Sequence, residues 1–498
     1  MRLLLKPNLC MGMEFASDYE RAVWVSALRF DNPNPPKSSE FNPYYDGKIS
    51  FWLDSHQQKF PTGFLGHMLD FLGKHGITPQ MEIVKPTKRI AIEVDSEICD
   101  GMKLRDYQLA AVKTALQLGR GIVTAPPRSG KTLMQAALAK TLGYKSVMFV
   151  EKVALLEQHV ENLRKWGLDP GIVQGSQRDF HKTHCVAMLQ TVWANHKDKD
   201  MMRWLESIEV MQVDECHHSS ADTYYRAALL CPASWRIGYS GTPFSVINTS
   251  EKKFDPDIWK LVGLFGPPIV DVTLGQLQDL GLMVPVQVIQ IKHTQPEEVA
   301  NIDGNQWQSV YSAGIVENDS RNLAIATATI ALVARGYLPL VLVKQVGHGE
   351  ALFEMMRRNG LCPLFAKGSK SILTCRGNPS SWIRGSIGDA YKLMLNGGGN
   401  VLIATQIGDE GVDFPHVNAL VLAVGGKADQ VTTQRLFRPL TATDNKTGAV
   451  VIDFDDRQHG VLKKHSAMRR RIYKLLGFEP RMMSLQEAIS SIPALLAA

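Results

Sequence analysis

Three short segments of the chain carry residues suited to phosphate chemistry. Ala125-Pro126-Pro127-Arg128-Ser129-Gly130-Lys131-Thr132 follows the β-branched run Gly121-Ile122-Val123-Thr124 and enters a helical stretch from Leu133 to Thr141. A turn at a helix start points backbone N–H groups at an anion, a lysine there reaches β- and γ-phosphates, and the next hydroxyl ligates magnesium. Ser129, Gly130, Lys131 and Thr132 are therefore the candidate nucleotide-binding residues, with Ala125 standing where the usual Gly-x-x-x-x-Gly-Lys-Thr has its first glycine. Asp214-Glu215-Cys216-His217-His218 follows the run Val210-Met211-Gln212-Val213. Adjacent carboxylates at a strand's C-terminal end stand where a doubly wound sheet binds ligand. Asp214 would hold magnesium, directly or through water, and Glu215 would orient and deprotonate the attacking water. The alternative, a metal site at Cys216, His217 and His218, lacks a second ligand cluster at suitable spacing. Ser240-Gly241-Thr242-Pro243 closes a third such run.

The elements that must position these residues follow an α/β grammar. Short apolar runs at 121–124, 146–150, 186–189, 210–213 and 237–240 alternate with helical segments, and the pattern recurs at 339–343, 401–404, 419–423 and 449–453. Two tandem parallel-sheet domains are predicted, 98–283 and 284–460, divided near Gly281-Leu282-Met283-Val284-Pro285. Residues 1–97 read as a small α+β accessory domain, with a strand near Lys48–Leu53 and a helix over Phe64–Leu72. Residues 461–498 read as a basic helical tail, since 456–498 hold 8 Lys/Arg against 3 Asp/Glu while 1–98 hold 11 against 12. Lys463-Lys464 and Arg469-Arg470-Arg471 in that tail could pair with phosphates or simply form a solvated helix face.

In this order the motifs resemble those of superfamily-two helicases of the DEAH-like branch, here spelled Asp214-Glu215-Cys216-His217, across roughly residues 103–455. The resemblance implies two RecA-like domains, ATP and Mg²⁺ as cofactors, and a nucleotide held by the first domain and completed by residues of the second. Leu104-Arg105-Asp106-Tyr107-Gln108 is similar to the adenine-recognition element, in which Gln108 would read the base with support from Arg105 or Tyr107. Glu151-Lys152 and Gln190-Thr191 resemble nucleic-acid-contacting motifs, as does Ala404-Thr405, so Lys152, Thr191 and Thr405 become candidate backbone contacts. His217, Ser240 and Thr242, with Gly411, Asp413 and Gln434 in the second domain, would couple nucleotide state to motion; for His217 a packed core histidine is the plain alternative. The last motif departs from the family, because Gln434-Arg435-Leu436-Phe437-Arg438-Pro439-Leu440-Thr441 has Phe437 for glycine and Thr441 for the second arginine. Either Arg438 faces the γ-phosphate with Arg435 auxiliary, or the register slides by three and both arginines are required.

Within this superfamily, Phe41–Ile49, Pro61-Thr62-Gly63-Phe64-Leu65-Gly66 and Lys344–Leu352 are similar to the tailed-phage UvsW-type helicases, which remodel branched DNA. That resemblance implies DNA as partner, branched or forked duplex and also single-stranded. It further implies a monomeric motor working beside replication or recombination proteins, with residues 1–97 engaging duplex. Because every motif lies beyond residue 103, basal ATP hydrolysis is expected to survive removal of 1–97. The altered motifs leave two competing readings: an ATP-gated binding module with little hydrolysis, and the motor subunit of a nuclease or RNA helicase system.

Composition sets the outer bounds. With 498 residues, 45% hydrophobic and 21% charged, the chain is globular and of multidomain size. Its seven cysteines are scattered and never spaced Cys-x-x-Cys, so neither a disulfide framework nor a zinc cluster is expected and a reducing cytoplasm fits best. The N-terminal Met1-Arg2-Leu3-Leu4-Leu5-Lys6 is too short for a signal peptide, and no apolar run approaches a bilayer span.

Overall fold

A computed structural model describes residues 1–33, 46–84, 93–241, 255–368, 371–375, 381–405, 414–426, 442–443 and 446–493. The chain divides into two compact units, Met1–Val272 and Thr273–Ala498. The division falls before the expected turn at 281–285, and residues 1–97 belong to the first unit.

In the first unit, β1 (Arg2–Leu5), β2 (Leu9–Met13), β5 (Lys59–Pro61) and β6 (Gln80–Ile83) form a sheet ordered β5-β2-β1-β6, beside a ribbon of β3 (Arg29–Asp31) and β4 (Lys48–Ser50). Helices α1 (Asp18–Ser26) and α2 (Leu65–Lys74) cover it. The eight-stranded sheet comprises β7 (Arg120–Thr124), β8 (Ser146–Val150), β9 (Gly171–Gln174), β10 (Gln177–Arg178), β11 (His184–Met188), β12 (Val210–Val213), β13 (Trp235–Ser240) and β14 (Pro268–Asp271). Its order is β10-β9-β11-β8-β12-β13-β7-β14, parallel except for β10. The central strands are buried along their whole length, which is why their sequences run apolar instead of alternating. Helices α3 (Asp106–Leu118), α4 (Lys131–Leu142), α5 (Val153–Lys165), α6 (Leu189–Ala194), α7 (Asp222–Leu230) and α8 (Pro256–Phe265) lie along this sheet's connections.

The small sheet is welded to the larger one. Its core of Trp24, Phe51, Phe60, Phe64, Met68 and Leu72 includes Trp259 and Val262 from α8, and Trp259 stacks on Phe64 with centroids 5.6 Å apart. Arg120, at the start of β7, donates to the Pro7 carbonyl, and Asn8 Nδ2 donates to Leu229 O at 2.9 Å. On the same sheet the fully buried Arg236 has no carboxylate partner among the described residues and donates to carbonyls at the ends of two helices, Ala228 O at 3.1 Å and Leu264 O at 2.9 Å. Helix C-termini carry partial negative charge, so their dipoles stand in for the missing anion.

In the second unit, β15 (Val286–His293), β16 (Pro339–Leu342), β17 (Pro363–Lys367), β18 (Ser371–Thr374), β19 (Ser381–Arg384), β20 (Val401–Ala404), β21 (Ala419–Leu422), β22 (Ala449–Asp456) and β23 (Arg481–Met483) form one sheet. Its order is β19-β18-β17-β20-β16-β21-β22-β15-β23, antiparallel only at β17-β18-β19. Helices α9 (Asp319–Ala334) and α10 (Gly460–Leu475) pack on it. Residues 461–498 are thus not a free tail: β23 joins the sheet and Arg469 is buried, its Nε 3.0 Å from Asp453 Oδ2, while Arg470 reaches Asp455 at 2.8 Å. These two arginines are committed to internal carboxylates and are not available for phosphate, whereas Lys463 and Lys464 are exposed. Cys362 and Cys375 are joined by a disulfide across the β17–β18 hairpin, with Cα atoms 5.7 Å apart. The scattered cysteines suggest no disulfide framework, and a spacing of 13 residues carries no signature until the hairpin register brings the strand ends together. Among the described residues no helix is long and apolar enough to cross a membrane.

Candidate nucleotide site and nucleic-acid contacts

Strands β12, β13 and β7 lie side by side, and the three motif segments leave from their C-terminal ends. Parallel strands with crossover helices put these loops at one end of the sheet, the usual ligand-binding edge. After β7 the chain passes through Arg128, at φ +69°, to Gly130, the N-cap of α4 at φ +79°. A Cβ on Gly130 would lie 2.4 Å from Gln108 Nε2, so both conformation and space demand glycine. No such demand exists at Ala125: it is buried, its φ is not positive, its N–H donates to Ser240 O at 2.9 Å, and its methyl fits. The departure from the glycine pattern therefore leaves the loop intact.

Lys131 lies along this loop with Nζ 3.3 Å from Ala125 O and 3.3 Å from Glu215 Oε1. Glu215 itself sits at φ +44°, a conformation that costs a residue with a side chain roughly 1–3 kcal/mol and is concentrated at functional sites. The turn aims its carboxylate back at the neighbouring strand, where Gly241 N–H donates to Oε2 at 3.1 Å. Burial raises the Glu215 pKa, but the Lys131 ammonium, the His217 ring and the Gly241 N–H together outweigh it and hold the carboxyl below its usual range. Asp214 behaves oppositely. Its desolvation dominates and raises its pKa, and Oδ1 has no hydrogen-bond partner among the described residues. A buried carboxylate oxygen without a donor is the kind of hard ligand a divalent cation would satisfy, so Asp214 fits Mg²⁺.

His217 is buried between Glu215 and Ser240, with Nδ1 3.3 Å from Glu215 Oε2 and 3.1 Å from Ser240 Oγ. Burial lowers its pKa to about 4, so the ring is neutral at pH 7 and links the carboxylate to the end of β13. Gln108 is buried and spoken for: Arg105 N–H donates to its Oε1 at 2.9 Å and its Nε2 donates to Ser129 O at 2.8 Å. The Tyr107 hydroxyl donates to the same carbonyl at 2.7 Å. Reading an adenine would require Gln108 to exchange bonds that presently brace the loop before α4.

One residue near the site escaped sequence reasoning. His159 of α5 is buried, its Nδ1 donates to Leu155 O at 2.9 Å, and Nε2 stands 3.6 Å from Asp214 Oδ2. Nothing local marks it; only the pairing of β8 with β12 brings α5 beside Asp214. Among the predicted nucleic-acid contacts, Lys152 caps α5, the Thr191 hydroxyl accepts from Gly175 N–H at 3.1 Å, and in the second unit the Thr405 hydroxyl accepts from Gly368 N–H at 3.2 Å. Thr242, Gly411, Asp413, Gln434, Arg435 and Arg438 lie outside the described residues.

The chain is similar to known proteins in sequence and in fold. Residues 101–245 match the family described as type III restriction enzyme, res subunit. The chain is 24% identical over 463 residues to the ATP-dependent DNA helicase uvsW of Enterobacteria phage T4, covering 87% of each. It is 24% identical over 403 residues to the putative helicase 22 of Sulfolobus islandicus filamentous virus (isolate Iceland/Hveragerdi), covering 76% of this chain and 67% of the relative. Among solved structures, the ATP-dependent type ISP restriction-modification enzyme LlaBIII bound to DNA shares the fold at TM-score 0.53 and 12% identity, over 81% of this chain and 33% of that one.

Proposed function

We propose, from the chain's place among superfamily-two helicases related to the T4 uvsW enzyme, that it is an ATP-driven motor on DNA that unwinds or branch-migrates branched and forked substrates. The observation that carries this reading is the Lys131–Glu215–Gly241 cluster at three adjacent strand ends. In it a phosphate-binding cation, a general base and the start of the next motif already touch. ATP would lie on the loop at Ser129–Thr132, with Lys131 leaving Glu215 for the β- and γ-phosphates. Losing that ammonium removes a main cause of Glu215's low pKa, so the carboxylate becomes a stronger base as the nucleotide binds. Bound Mg²⁺, held by Thr132 and Asp214, would neutralise charge developing on the phosphates. The neutral His217 then passes the state of Glu215 to Ser240. Lys152, Thr191 and Thr405 would track the nucleic-acid backbone, and residues 1–97 would engage duplex. A monomeric motor inside the cell is consistent with these roles. Ala125 fits its site, which removes one argument for a module that binds ATP without hydrolysis.

The test is ATP turnover with no nucleic acid, single-stranded DNA, forked DNA and RNA in parallel, on the wild type and two variants. Lys131→Ala should abolish turnover, and Glu215→Gln should bind ATP yet hydrolyse it poorly. Turnover that is unchanged in Lys131→Ala, or that rises with RNA alone, would defeat the reading.

A further inference from the structure

The parallel sheet of the second unit carries an antiparallel extension, β17-β18-β19, with β19 at the sheet edge. All four residues of β19 are exposed, and Trp382 leaves 44% of its surface to solvent. One side of its ring leans on buried Phe365, at 5.9 Å between centroids, and Lys367 Nζ stands over the ring, 5.5 Å from its centroid, on a flexible stem that an incoming base would displace. Strand register places Lys367 opposite Ser371 and Ser371 opposite Arg384, with Trp382 opposite Leu373 two residues along. Lys367, Trp382 and Arg384 therefore share one face. The surrounding sequence is strongly biased, since residues 363–388 contain Lys367, Lys370, Arg376 and Arg384 and no Asp or Glu. Gly368, next to Lys367, is tied by its N–H to the Thr405 hydroxyl.

We propose that this face is a stacking platform for unpaired bases of a single strand. The Trp382 ring would lie against a base while Lys367 and Arg384 hold the flanking phosphates. The inference rests on the motor reading, which makes Thr405 a backbone contact; a strand passing Thr405 reaches Gly368 and then Trp382. Charge complementarity selects a polyanion, and an exposed indole flanked by cations selects one with flat rings, as in single-strand-binding grooves. Paired bases hide their faces in the duplex stack, so the occupant is unpaired.

The experiment compares two labelled probes by fluorescence anisotropy on the full chain: a 20-mer of thymidine and an abasic oligonucleotide of equal length. The wild type should prefer the thymidine probe, and Trp382→Ala should reduce that preference by on the order of 10-fold. Trp382→Phe should keep most of it, and Lys367→Ala with Arg384→Ala should weaken both probes alike. The platform is refuted if the preference persists in Trp382→Ala, if Trp382→Phe is as impaired as alanine, or if Trp382→Ala weakens the abasic probe equally. That last result would mean a charged face for any polyanion, an acidic protein included. A wild type that binds neither probe refutes the motor reading itself, and the platform with it.

Discussion

Alanine at position 63 would test how the N-terminal sheet is joined to the eight-stranded sheet. A Cβ on Gly63 would lie 1.9 Å from Val262 O and 2.5 Å from Gly263 O, both backbone atoms of α8. No rotamer relieves such a contact, so α8 must move by more than 1 Å relative to a normal carbon–oxygen separation of about 3.3 Å. Overpacking of this kind costs about 1–3 kcal/mol. Moving α8 also strains the bond from buried Arg236 to Leu264 O, worth about 1.5–3 kcal/mol to a charged donor. The expected loss is therefore roughly 3–5 kcal/mol, on the order of 10 °C for a unit of this size. Two glycines serve as internal standards. Gly263→Ala meets Phe64 Cε2 at 2.8 Å, a side chain that can yield, and gains helix propensity, so it should be milder. Gly66→Ala in α2 meets nothing within 4 Å and should stabilise by about 0.5–1 kcal/mol. Urea unfolding followed by tryptophan fluorescence reports directly, since Trp259 sits in the joint. Gly63→Ala within 0.5 kcal/mol of wild type, or milder than Gly263→Ala, would refute the reasoning. The same joint bears on the expectation that basal hydrolysis largely survives removal of 1–97: truncation would uncover Trp259 and Val262 and strip Arg120 of the Pro7 carbonyl.

Replacing Arg469 by Met should destabilise the second unit by about 3–5 kcal/mol, because Asp453 is left charged and buried with no cation beside it among the described residues, keeping as donors the Tyr473 hydroxyl, Gln290 Nε2 and the Phe454 N–H. Adding Asp453→Asn should recover much of that loss in thermal melts, whereas an exposed tail helix predicts no change for either. For the final motif, Arg438→Ala should lower kcat by on the order of 10³-fold, with ATP affinity little changed, if Arg438 faces the γ-phosphate. Arg435→Ala should be mild in that register and nearly dead in the slid one. A mild loss at Arg438 would defeat both, and Thr441→Arg should raise turnover only if position 441 is a vacant finger site.

Local sequence carries the chemistry of the candidate site far better than its wiring. Gly130, Lys131, Asp214 and Glu215 are legible because anion binding at a helix start and carboxylates at a strand end need those residue types at those points. Their mutual contacts depend on the strand order β12-β13-β7, in which neighbours come from distant parts of the chain. For that reason His159 was invisible, and so was the bracing of Ser129 by Gln108 and Tyr107. The tail is illegible for a related reason: Arg469-Arg470-Arg471 reads as a run that pairs with phosphates or as a solvated helix face, whereas the fold makes Arg469 and Arg470 partners of Asp453 and Asp455 on β22.

What those buried charges do becomes clear from the backbone they hold. Arg321 of α9 pairs with Asp456 at 2.7 Å and donates to Ala423 O at 2.9 Å; the Tyr311 hydroxyl donates to Val424 O at 2.7 Å; Arg469 of α10 donates to Gly426 O. Three carbonyls that follow β21 are thus each fixed by a side chain from a different part of the unit, at the point where the chain runs on toward Gln434, Arg435 and Arg438. A hydrophobic replacement of equal volume could fill the space around Asp453 and Asp456, and buried ion pairs are often no more stabilising than such a replacement. It could not donate to those carbonyls. The arginines are therefore better understood as setting where the segment bearing the last motif begins than as contributors to stability alone. This predicts that Arg469→Lys, which keeps the charge on Asp453 but has no planar fork to span both Asp453 and Gly426, will melt close to wild type and yet lower kcat. Loss of stability with kcat intact would show that the network is only structural.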